Sequence, residues 1–237
     1  MDDITKSEAE RGMDWKRVRL LLTIGIAAAV VALAGDMILS WGKARTGSVG
    51  LEIVFSRYLD VSTERTFFSA LIGMIAIPAE WICASGICRI IAESEPEKAN
   101  LYRFCTYAMT ALGGVVHVAC CASVYIYNTM YAIEQETAFW EAMKYGVYFL
   151  LPAAALYMGA FVTAAVVQIR TFAKSMTSYP RWCAVFSPAL GFLLFLLFGL
   201  INAPLFNALG AGWISLGNIW AFAGLLAMSR KSERGDF

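Results

Sequence analysis

Six apolar stretches, each about twenty residues or longer, decide what this chain can fold into. They run Val18–Trp41, Thr66–Ile91, Phe104–Met130, Ala142–Ile169, Trp182–Asn202 and Ala208–Ser229. A bilayer core about 30 Å thick is crossed by about 20 helical residues rising about 1.5 Å each. Together the stretches take up well over half of the 237 residues, leaving no length for a separate soluble domain. Composition agrees, with 59% hydrophobic and 16% charged residues, where soluble domains have about 45–50% and about 25%. The expected architecture is therefore all-α, a polytopic bundle of six transmembrane helices. An N-terminal segment (1–17), a single membrane domain (18–229) and a tail (230–237) make up the chain. The first stretch is too long for a signal peptide and lacks a small-x-small cleavage site, so it reads as a retained helix.

Orientation follows from the basic residues. With the N-terminus inside, fourteen of the 19 Lys/Arg residues fall on inner segments: five up to Arg19 at the start of the first stretch, and three each near 89–103, 170–181 and 230–234. Five fall outside, Lys43, Arg45, Arg57, Arg65 and Lys144. The split places both termini in the cytoplasm and the protein in a plasma or inner membrane. A formal charge of +1 argues against a nucleic-acid partner, which leaves membrane lipids and a small apolar ligand. A single histidine excludes multi-histidine metal sites, and no cofactor motif is present. The six cysteines lie in or at the edges of the stretches, where an oxidising compartment would not pair them.

Ionisable side chains are costly at membrane depth and mark candidate sites. Asp36 is expected about 7–8 Å below the outer boundary, with Glu80 and His117 near the midplane. Neighbouring helices two and three bring a Glu80–His117 contact within reach. Pro78 predicts a kink beside Glu80, and Pro152 and Pro188 predict kinks in helices four and five. Gly113 and Gly114 clear the face of His117, either for a neighbouring helix or for a ligand. Asn202 and Asn218 read either as contacts for a polar group or as glue between helices. The outer loop 42–65 carries apolar residues from Leu51 to Val61 at helical spacing. It reads either as an interfacial helix or lid, or as a loop packed on helix ends.

In order along the chain stand Gly35–Asp36–Met37, Ser56, Arg65, Pro78, Gly113–Gly114 with His117, and Tyr179–Pro180 with Trp182. Pro188, Asn202 with Pro204, Gly210 with Gly212, and Asn218 follow. In this order the chain resembles an uncharacterised family of bacterial six-pass integral membrane proteins, known as a domain of unknown function. It departs from the family pattern at Ile77, where glycine precedes the proline, and in Glu80, which looks peculiar to this member. The resemblance implies that Asp36, His117 and Asn218 matter more than a Glu80–His117 pair. It implies no activity.

The leading functional expectation is an intramembrane polar cavity open to the outer side. Asp36 and His117 would do acid–base work there on a lipid or small apolar substrate, with Arg65, Glu80, Asn202 and Asn218 holding it. The alternatives are a carrier of a small molecule or proton through the same cavity, and a structural or accessory subunit whose polar residues only join helices.

Overall fold

A computed structural model of the chain describes residues 13–45, 47, 50–174 and 176–235. The N-terminal segment 1–12 and residues 236–237 of the tail lie outside the described residues. All regular elements among the described residues are helical. Helix α1 is Trp15–Ser40, begun by the Asp14 side chain, which accepts from Arg17 N. After the five-residue α2 (Glu52–Ser56), Ser62 caps α3 (Thr63–Cys83) in the same way. Helix α4 (Ser85–Ala92) continues α3 past a break at Ala84. Helix α5 (Pro96–Ile133) starts on a proline, whose missing N–H costs nothing at a helix N-terminus.

Helix α6 (Gln135–Tyr145) leads through a π-helical turn (Gly146–Leu150) into α7 (Leu151–Ala173). The π turn lies immediately before Pro152. Proline offers no N–H to the carbonyl of Tyr148, and the chain widens so that Leu151 N reaches back to Gly146 O. The expected irregularity in the fourth stretch is therefore a bulge at 146–150. Pro78 behaves differently, since α3 runs through it and breaks at Ala84. The bare backbones of Gly113 and Gly114 let α5 close on Ile77, Met74 and Pro78, so these glycines serve helix packing.

The fifth apolar stretch does not form one long helix. A 3-10 turn (Arg181–Val185) is followed by irregular backbone at Phe186–Ala189, and then by the nine-residue α8 (Leu190–Phe198). Pro188 ends the hydrogen-bond ladder, and side chains take up the freed carbonyls: Gln168 Nε2 donates to Phe186 O at 2.6 Å and Trp220 Nε1 to Val185 O at 2.7 Å. The sixth stretch is also divided. Helix α9 (Pro204–Ala211) meets α10 (Trp213–Arg234) at Gly212 with a 69° bend. Among the described residues four helical runs are long and apolar enough to cross a bilayer, Trp15–Ser40, Thr63–Ala92, Pro96–Ile133 and Gln135–Ala173, or five if the bent α9–α10 pair counts as one span. The chain is thus all-helical and suited to a membrane, with wide apolar exposure at Phe104 (71%) and Leu200 (82%).

Helix α1 lies between α3 and α10, α3 packs on α5, and α5 on α7. Arg19 pairs with Glu233 at 2.7 Å, Trp15 packs on Tyr179, and Glu93 accepts from Ser178 N, so these segments share one end of the bundle. The main apolar core fills that end, with Leu22, Ile87, Ile91, Tyr102, Phe172 and Leu225 fully buried. At the other end Asn202 Oδ1 accepts from Ala44 N, and Asn207 Nδ2 donates to Gly42 O. The broken segment runs between the two ends along α10. Tyr179 donates to Leu225 O, Phe186 covers Gly224, the Pro188 carbonyl abuts Gly217, and Gly191 abuts the Trp213 carbonyl. A side chain at Gly217 would enter the Pro188 carbonyl. Gly217→Val is therefore expected to cost about 1–3 kcal/mol, seen as a melting temperature in detergent lower by about 4 °C or more. An unchanged melting curve would show that α10 and the broken segment are not in contact.

Candidate functional site

Asp36 stands one turn before the end of α1, and His117 lies midway along α5. They meet across α3, where His117 Nδ1 is 3.3 Å from Asp36 Oδ1. The room for the ring comes from α3, because a methyl group at Gly73 would overlap the imidazole. One turn earlier on α3, Ser69 closes the network. His117 Nε2 lies 3.0 Å from Ser69 O and 3.2 Å from Ser69 Oγ, and Ser69 Oγ donates to Gly35 O at 2.8 Å. Cys121, one turn along α5 from His117, reaches Ser69 Oγ at 3.7 Å.

These partners fix the proton count. The carbonyl of Ser69 is only an acceptor, so Nε2 carries hydrogen. Nδ1 and Oδ1 then face each other as two potential acceptors, and a proton must lie between them. It rests on Nδ1, giving an ion pair, or on Oδ1, giving a neutral pair. The tautomer is assigned here from the hydrogen-bond partners. The order Asp36–His117–Ser69 is that of a serine hydrolase triad. Here, however, Nε2 donates to the serine's own carbonyl and the serine hydroxyl points to Gly35 O, so Ser69 is not poised as a nucleophile.

The pair is buried unevenly. His117 keeps 6% of its side-chain surface and Asp36 keeps 17%. The other oxygen of Asp36, Oδ2, lies beside Gly212 at the α9–α10 corner, where a methyl group would come within 3.3 Å of it. Above the pair the outer loop is packed down: Asn128 Nδ2 holds the carbonyls of Tyr58 and Val61 at 2.9 and 3.0 Å, and Phe55 packs on Tyr127 and Phe139. Tyr58, in that loop, interacts with Ser40 and Asp36, and burial pushes its phenol above the usual range. Helix α2 is only a short turn within this packed loop.

The other expected site residues lie apart from the pair. Arg65 Nε and Nη2 donate to Ile38 O at 3.1 and 2.6 Å, so its cation caps the C-terminal carbonyls of α1. Asn202 holds the loop after α1. Glu80 and Asn218 meet each other, with Asn218 Nδ2 donating to Glu80 Oε2 at 3.1 Å, so Glu80 and His117 each have a different partner. Two clefts stand out among the described residues. One, of about 160 Å³, is lined by Val61, Thr66, Tyr125 and Asn128 among others. The other, of about 470 Å³, lies between Ile126 and Phe149. The lining of neither includes Asp36, Arg65, His117, Asn202 or Asn218, the residues expected around a cavity. Among the described residues no three His, Cys, Asp or Glu side chains converge as metal ligands.

Sequence reasoning missed Ser69 and Gly73. A serine and a glycine in an apolar helix are ordinary, and only the register of α3 against α5 gives them a role. Residues 2–232 match a family of unknown function, DUF6796, and the chain belongs to that family. No curated protein and no solved structure matches it.

A double-mutant cycle tests the pair. Asp36→Asn and His117→Gln are expected to be non-additive in thermal stability by about 1 kcal/mol or more. Additive effects would mean the two side chains do not interact.

Proposed function

We propose that this chain crosses a plasma or inner membrane six times with both termini cytoplasmic, and that Asp36 and His117 form its acid–base centre. The fifth crossing is the broken segment 180–202 with α8, and the sixth is the bent α9–α10 pair. The pairing of Arg19 with Glu233 and of Asn202 with Ala44 supports an even number of crossings, and the basic residues at the Arg19 end support a cytoplasmic placement. The substrate class is a lipid or small apolar molecule arriving from the outer half of the membrane.

One observation carries the acid–base reading: Asp36 Oδ1 and His117 Nδ1 lie 3.3 Å apart while the Asp36 side chain stays partly accessible. A carboxyl bound in this way exchanges its proton with a group placed at Oδ2, and His117 takes up the charge change behind it. The second reading is a clamp. His117 Nε2 on Ser69 O and Ser69 Oγ on Gly35 O join α1, α3 and α5 through partners that all belong to the chain. An Asp36→Asn variant separates the two. Under the acid–base reading, native mass spectrometry of the parent retains a lipid-sized adduct that the variant loses, whatever the change in melting temperature. Under the clamp reading, the variant melts lower and no adduct distinguishes the proteins.

Topology has its own test. In intact cells an impermeant thiol reagent is expected to label Lys43→Cys, and to label Ser94→Cys and Lys231→Cys only once the membrane is opened. Labelling of Lys43→Cys and Ser94→Cys from the same side would overturn the six-crossing arrangement.

A further inference from the structure

A second buried polar pair lies away from the Asp36–His117 centre. Glu80 on α3 and Asn218 on α10 are both fully buried, and a single hydrogen bond joins them, from Asn218 Nδ2 to Glu80 Oε2. Each partner keeps one buried acceptor without a hydrogen-bond partner: Oε1 on Glu80 and Oδ1 on Asn218. Among the described residues no cation balances Glu80. The groups that act on it are Asp36 from α1, Cys83 on its own helix, Tyr157 from α7, and Ser215 and Asn218 from α10. None of these carries positive charge, and the Ser215 hydroxyl makes no hydrogen bond to Oε1.

An ionised Glu80 would thus be an unpaired carboxylate inside the bundle, which is among the costliest arrangements a membrane protein can hold. Turning the amide does not help. A carboxylate has only acceptors, so one amide face always meets it through nitrogen and leaves the amide oxygen without a donor. One added proton removes both deficits. With hydrogen on Oε1, a carboxylic acid and a primary amide form a cyclic pair: the amide N–H donates to one carboxyl oxygen, and the acid O–H donates to the amide oxygen. The two atoms without partners are the two that this ring joins.

We propose that Glu80 is a proton-binding site within the membrane, occupied at neutral pH and closed by Asn218 as an acid–amide pair. The ligand is a proton, and binding forms the Oε1–H bond. Release leaves a carboxylate and two unsatisfied acceptors, so the site gives up its proton only when something else reaches Glu80. At the start of α10, Gly212 lies beside Asp36 Oδ2, and Ser215 and Asn218 face Glu80. The site does not rest on the acid–base reading of Asp36 and His117, since neither residue supplies its atoms.

Infrared difference spectroscopy tests this on the full chain in phosphatidylcholine vesicles at neutral pH. The parent is expected to show a protonated-carboxyl carbonyl band that Glu80→Gln removes and Asp36→Asn leaves in place. Asn218→Leu is expected to move that band to higher frequency as its hydrogen bond is lost. Glu80→Gln supplies an amide with the same donor and acceptor, so its melting temperature should stay within about 2 °C of the parent, whereas Glu80→Leu should melt lower. If Glu80→Gln does not fold, the Asn218→Leu band decides alone: a shift supports the site and no shift overturns it. Identical parent and Glu80→Gln spectra would show an ionised Glu80 and overturn the proposal. So would a melting temperature that rises with added sodium or potassium in the parent but not in Glu80→Gln, because a metal cation would then fill the place of the proton.

Discussion

Backbone carbonyls away from water need donors, and much of this bundle is arranged around that need. At several helix ends and breaks, a side chain from another segment supplies the missing N–H. Arg65 does so for the end of α1, Asn207 for Gly42, and Asn128 for the returning outer loop. Gln168 and Trp220 do so for the broken segment before α8. Even His117 spends one ring nitrogen on a main-chain oxygen. The polar residues of the membrane region are thus mainly a means of holding irregular backbone, and few remain for chemistry.

That division explains which residues join the candidate site. Arg65 and Asn202 resemble ligand-binding groups by type and depth, yet Arg65 Nε and Nη2 are taken up by Ile38 O of α1, and Asn202 Oδ1 by Ala44 N of the loop after it. Asp36 differs because its side chain stays 17% exposed, with one oxygen paired to His117 and the other beside Gly212. The glycines divide in a similar way. Gly73 makes room for an imidazole, whereas Gly191 and Gly217 let two backbones touch where a methyl group would enter a carbonyl.

The helical class and the first four long helices were legible from the apolar stretches, because length and hydropathy are properties of a segment alone. The fifth and sixth stretches were not. Pro188 predicts a kink in 182–202, but nothing in that composition tells a kinked helix from one opened there, since the outcome depends on Gln168 and Trp220 standing opposite the break. Asp36 and His117 were legible as charges at depth, but their pairing was not. Adjacency in sequence favoured Glu80 as the partner of His117, and the contact instead depends on which turn of α3 faces α5. Asn218 was read as a candidate, and its partner on α3 became visible only with α10 packed in place.

The shared proton between Asp36 and His117 has an electrical consequence. As long as it stays, the two side chains together carry no net charge, and a membrane voltage exerts no net force on them. Were it to leave, one negative charge would remain, in the outer half of the bilayer under the proposed orientation. A charge crossing the full thickness feels about 2.3 kcal/mol per 100 mV; a proton arriving at Asp36 from outside would travel only part of that drop. Its affinity for the site would then depend on voltage by a fraction of that amount, so an energised membrane and a depolarised one would hold the pair in its protonated state to different extents.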